Sequence, residues 1–168
     1  MKRLFSMSAF LLVVVFLISS CQSNDNKNSG QETVTTPAPA PQETSNALSL
    51  EANDQMQYSK NELRAAAGQT ITLTFKNTGT SDIHVMGHNF VLLKAGTDVS
   101  DFGTKAMSAK DHDYIPPSET ANVLAHTKLL GGGESDTITF QLPEKGSYDY
   151  ICSFPGHYGV MNGKLIIE

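Results

Sequence analysis

Short runs in which apolar and polar residues alternate recur along the C-terminal two-thirds of the chain. QTITLTFKN (69–77), SDTITFQL (135–142), GSYDYICS (146–153) and GKLIIE (163–168) follow this pattern, and HVMGHNFVLL (84–93) ends in a continuous apolar run. β-Branched and aromatic residues dominate these runs and turn residues separate them, which predicts strands. Several short strands in about 120 residues predict an all-β, Greek-key β-sandwich. The stretch from Asp98 to Lys110 breaks the alternation and reads as a short helix or flap, with Gly103 interrupting it.

The first twenty residues carry Lys2 and Arg3, an apolar run from Ala9 to Ile18, and then Ser19 and Ser20, with Cys21 directly after them. This is the layout of a secretory signal, and the ending ISSC resembles the lipobox of bacterial lipoproteins, which makes Cys21 the expected lipid anchor. Residues 21–46 are rich in Ser, Asn, Gln, Thr and Pro and show no apolar periodicity, so they read as a disordered tether. As a flexible coil it would reach roughly 25–30 Å. The folded domain is then expected over residues 47–168. Loss of Lys2 and Arg3 takes the net charge from −5 to −7, an acidic balance that argues against nucleic acid as a partner. Attachment to a membrane is left to the lipid, and several acyl chains make it durable. Gln22 lacks the acidic character associated with retention at the inner membrane in some bacteria, which favours the outer membrane.

Candidate chemistry sits in CSFPGHYGVM: Cys152, His157 and Met161 lie in one short segment directly before the closing apolar run. A thiolate, an imidazole and a thioether form a soft to borderline donor set that suits copper cycling between two oxidation states. Pro155 and Gly156 permit a tight turn between Cys152 and His157. Among His84, His88, His112 and His126, the best second imidazole is His88, flanked by Gly87 and Asn89 in an apolar stretch. His88 is expected near the end of one strand and Cys152 at the close of another, so the site lies at one end of the sandwich. Cys152 is the only cysteine beyond Cys21, and metal ligation explains a lone thiol in an oxidising compartment.

VMGHN, LAHTKLLGGGESDTITF, NDQMQ and the terminal loop together resemble the azurins, blue-copper proteins of the cupredoxin class, over about Leu48 to Glu168. The resemblance implies a cupredoxin-like sandwich and one copper ion cycling between Cu(I) and Cu(II). Its equatorial ligands would be His88, Cys152 and His157, its axial ligand Met161, and the Gly87 carbonyl a weak opposite contact. Asn89 and Phe154 would surround the ligands, with Asn89 tying the two ligand loops together. Met56, Met86, Met107, Phe154, Pro155 and Val160 would form an apolar docking patch around the edge of His157, the port for electrons. Two departures stand out: the disulfide cysteines of azurins are missing, and Phe90 stands where azurins often carry Trp.

The expected function is therefore that of a monomeric electron carrier, not an enzyme. It would shuttle single electrons between redox proteins such as cytochromes or copper/haem reductases, lipid-anchored in the cell envelope and facing the periplasm. Two other classes use the same residues: a protein that stores or delivers copper, and a thiol enzyme with Cys152 as nucleophile and His157 as base.

Overall fold

A computed structural model describes residues 45–168, so the signal segment, Cys21 and nearly all of the tether lie outside the described residues. Of the tether, Asn46 already belongs to the fold: its carbonyl accepts from Thr72 N at 2.7 Å and its side-chain oxygen accepts from Ala66 N at 2.9 Å.

The strands are β1 (Ala47–Asn53), β2 (Gln57–Tyr58), β3 (Glu62–Ala65), β4 (Thr70–Asn77), β5 (Val91–Leu93), β6 (Val123–His126), β7 (Ser135–Gln141), β8 (Gly146–Ile151) and β9 (Asn162–Ile167). They form a four-stranded sheet in the order β2-β1-β4-β7 and a five-stranded sheet in the order β3-β9-β8-β5-β6. Pairing is antiparallel except for β1 with β4 and β3 with β9. Alternation decides which face each strand buries. Ile71, Leu73 and Phe75 turn inward from β4, and Gly163, Leu165 and Ile167 from β9. These inner faces meet in one core with Leu50, Leu92 and Tyr150, as a two-sheet sandwich requires. Gly163 is glycine because Tyr150 lies across it: a Cβ there would come within 2.3 Å of the phenol ring.

The expected run 84–93 is a strand only in its last part. Its start forms a one-turn helix, α1 (Ile83–Met86), because the Asp82 carboxylate caps it by accepting from His84 N at 2.8 Å. The helical flap is α2 (Val99–Ala106), capped by Asp98, which accepts from Ser100 N and Asp101 N, and followed by 3-10 turns at Lys110–His112 and Pro117–Asn122. It buries Phe102, Gly103 and Ala106. Lys105 pairs with Asp101 one turn earlier in the same helix at 2.6 Å and ties the helix to Glu119 at 2.5 Å. Gly103 does not break this helix. It lets the helix press against the ligand loop, since a Cβ there would meet the Tyr158 ring at 2.3 Å.

Candidate metal centre

Strand pairing brings the candidate ligands to one end of the sandwich. Val91 opens β5 opposite Ile151, which closes β8, and Ile151 in turn faces Asn162, which opens β9. His88 lies just before β5, Cys152 just after β8 and Met161 just before β9, so all three fall at the same end. His88 is held by a two-bond bridge to Leu130, 3.0 Å through its N–H and 2.8 Å through its carbonyl. Cys152 N donates to Met161 O at 2.9 Å and closes the loop between β8 and β9. Inside that loop His157 N donates to Phe154 O and Met161 N to His157 O, so the turn is rigid where the side chains need direction. Gly156 adopts φ +82°, a left-handed conformation that costs other residues about 1–2 kcal/mol.

His88, Cys152 and His157 offer one imidazole nitrogen, one sulfur and one imidazole nitrogen, all within 4.8 Å of one another and all buried. Cys152 Sγ stands 3.5 Å from His157 Nδ1 and 3.9 Å from His88 Nδ1. The two imidazole rings lie 5.0 Å apart at 40°. His88 Nε2 meets the Asn53 carbonyl at 2.9 Å and must donate to it, which leaves Nδ1 as the free lone pair facing the sulfur. Met161 is fully buried at the end of the same loop. Gly87 is buried beside them, and its lack of a Cβ is a matter of space, because a Cβ would come within 2.5 Å of the Ile83 carbonyl.

Burial dominates the electrostatics. It lowers the pKa of His88, and it pushes His157 down to about 4 with help from neighbouring His88, so both imidazoles are neutral at physiological pH. Burial pushes the Cys152 thiol up to about 12, against backbone hydrogen bonds from Asn89 and Phe154 that favour the thiolate. Neutral imidazoles, a thiol that a cation would deprotonate, and N–H donors waiting on the sulfur fit a soft metal ion.

Asn89 bridges the two ligand segments. Its Oδ1 accepts from Ser153 N at 2.9 Å, and its Nδ2 donates to Ser153 Oγ at 2.9 Å and to Asp113 O at 3.0 Å. Phe154 is buried and stacks on His157 at 4.7 Å, so it supports the imidazole more than it offers surface. Met56, Met107 and Val160 are exposed, and Met86 and Pro155 are half-buried. His157 keeps 4% of its surface whereas His88 keeps none. His84, His112 and His126 are exposed and stand outside the cluster. Sequence reading missed Asn53, whose carbonyl fixes the His88 tautomer, and Ser153, Tyr58 and Asp113, which hold Asn89 from three sides. Of these, Asn53 and Tyr58 had a signal through the motif NDQMQ, which begins at one and ends beside the other, and Ser153 through its place in CSFPGHYGVM; Asp113 had none.

A family model described as copper binding proteins, plastocyanin/azurin family, matches residues 44–168. The chain belongs to the plastocyanin/azurin family. Outer membrane protein H.8 of Neisseria gonorrhoeae is 41% identical over 125 residues, covering 72% of this chain and 67% of the relative. Azurin of Pseudomonas aeruginosa is 37% identical over 127 residues, covering 73% and 84%. The crystal structure of dithionite-reduced auracyanin from Roseiflexus castenholzii superposes with a TM-score of 0.67 at 37% identity, over 75% of this chain and 99% of that one. The sandwich is thus a cupredoxin fold, and one-electron transfer by a single blue-copper centre is the function of this plastocyanin/azurin family member. Plastocyanin/azurin proteins are electron carriers that exchange electrons with redox partners.

Proposed function

We propose that His88, Cys152 and His157 would be the principal ligands of a bound copper ion, with Met161 and the Gly87 carbonyl as weaker donors. The observation that carries this reading is the convergence of two neutral imidazole nitrogens on one buried sulfur within 4.8 Å. Bound there, copper supplies a Cu(I)/Cu(II) couple. The chain's part is to hold the donors still. The closed loop from Cys152 to Met161, the Asn53 carbonyl on His88 and the Asn89 bridge to Ser153 fix the ligand geometry in advance. A small change in geometry between oxidation states favours fast exchange, and donors that are already buried and aligned provide it.

His157, the imidazole that still reaches the surface, is the electron port. Met56, Met86, Met107, Pro155 and Val160 border the docking surface, and cytochromes or copper/haem reductases are the partners, met transiently by a monomer. Lipid on Cys21, with residues 22–45 as tether, holds this domain on the outer membrane facing the periplasm. The relationship to a Neisseria protein named an outer membrane protein supports that placement. The protein carries electrons and turns over no substrate of its own.

Loading the protein with Cu(II) tests the ligand set. The expected result is one copper per chain, intense visible absorption and narrow copper hyperfine splitting in electron paramagnetic resonance, all lost in Cys152→Ser. A colourless Cu(II) complex would remove Cys152 from the set and return the copper-delivery and thiol-enzyme readings.

A further inference from the structure

The Tyr58 hydroxyl donates to the Asn89 carbonyl at 2.5 Å, across 31 residues of sequence. No other hydrogen bond reaches that carbonyl among the described residues, while every other polar group of Asn89 is engaged at the site. Tyr58 belongs to β2, at the end of the same hairpin whose Asn53 carbonyl holds His88. One short hairpin therefore grips the first ligand segment twice, at His88 Nε2 and at the Asn89 carbonyl. Although part of Tyr58 reaches the surface, its ring is locked edge-on between Phe75 at 6.0 Å and Tyr150 at 5.6 Å, so the hydroxyl has one direction available.

We infer that Tyr58 is a positioning residue for the redox centre: by anchoring the Asn89 carbonyl it aims the Asn89 N–H at the Cys152 sulfur. The inference rests on Cys152 being a copper ligand. Hydrogen bonds to a ligating sulfur withdraw electron density from it and tune the reduction potential. With Tyr58 in place, the sulfur donates less and the reduced state is favoured. Burial holds the Tyr58 phenol well above its ordinary pKa, so the hydroxyl stays a donor at any physiological pH.

Tyr150 provides the control. It is a second buried phenol in ring contact with Tyr58, but its hydroxyl donates to Lys60 O at 2.7 Å, away from Asn89. Tyr58→Phe and Tyr150→Phe each remove one hydroxyl from the same aromatic cluster, so a loss of packing or stability common to both says nothing about positioning.

The experiment compares the two variants with the parent in voltammetry of the copper-loaded protein and in amide hydrogen exchange of the metal-free protein. Tyr58→Phe is expected to make reduction about threefold less favourable, roughly 28 mV at 59 mV per tenfold for one electron. It is also expected to speed exchange at the Asn89 N–H about tenfold beyond any general change. Tyr150→Phe leaves both unchanged. Equal potentials and equal Asn89 exchange in the two variants, or equal shifts in both, would overturn the inference. If the parent itself showed no thiolate-to-copper absorption, the ligand assignment would fail instead, and the exchange arm would still decide whether Tyr58 holds Asn89.

Discussion

Asn89 and Ser153 exchange two hydrogen bonds across the buried end of the sandwich, Ser153 N to Asn89 Oδ1 and Asn89 Nδ2 to Ser153 Oγ, both at 2.9 Å. This pair joins the segment carrying His88 to the loop carrying Cys152 and His157. Asn89→Leu keeps similar volume but leaves the buried Ser153 N–H without a partner and frees the Asp113 carbonyl. The expected loss is about 3 kcal/mol of stability in urea denaturation, together with a shifted reduction potential. An unchanged potential would reduce Asn89 to a local turn former.

Gly103 and Tyr158 make a comparable junction between α2 and the ligand loop. Gly103→Ala places a methyl group 2.3 Å from the Tyr158 ring, so the helix or the loop must move. We expect about 1–3 kcal/mol of destabilisation and faster copper loss to a chelator. Tyr158→Ala should relieve the clash, so the double variant should be more stable than the sum of the single effects predicts. Simple additivity would show that helix and loop are independent.

The pKa shifts give the metal-free protein a bounded pH range. His157 falls from 6.5 to about 4 on folding, so the unfolded chain binds more protons in that window and stability is lost as pH drops through it. For His157 the loss is on the order of 3 kcal/mol, and His88 shifts in the same direction. Cys152 rises from 9.0 to about 12, so its contribution is present below 9.0 and lost as pH climbs above it. Thermal denaturation of the metal-free protein should show a plateau between these limits and a fall on either side. A flat profile from pH 4 to 7 would contradict the burial of the two imidazoles.

Copper affinity should depend on pH through Cys152 alone near neutrality. The thiol is protonated there and must give up its proton on ligation, whereas both imidazoles are already neutral. Chelator competition at several pH values between 7 and 8.5 should give an affinity rising about tenfold per pH unit. A rise near a hundredfold per unit would mean that an imidazole also has to deprotonate.

What could be read from the sequence was local. Cys152, His157 and Met161 lie in a single loop, and His88 sits in a recognisable motif, so spacing and donor chemistry were enough to nominate them as candidates. The alternating runs likewise located β4, β7, β8 and β9. β1, β2, β3 and β6 escaped because they are short or half-buried and derive their stability from partners distant in the chain. α1 escaped because one capping carboxylate, Asp82, outweighs a weak apolar run. The groups that support the ligands were least visible, since Asn53 and Asp113 act through backbone carbonyls that any residue could supply. Gly103 was misleading for a related reason: in sequence a helix glycine looks like an interruption, and only the fold shows the tyrosine ring that needs the space.

The most direct test of electron carriage through Cys152 is an anaerobic spectroelectrochemical titration of the copper-loaded protein. The visible absorption should bleach and return reversibly with a one-electron Nernst slope, one electron per chain, with copper retained throughout. Reduction that is irreversible, or that releases the metal to a chelator, would contradict this account and identify a copper-delivery protein instead.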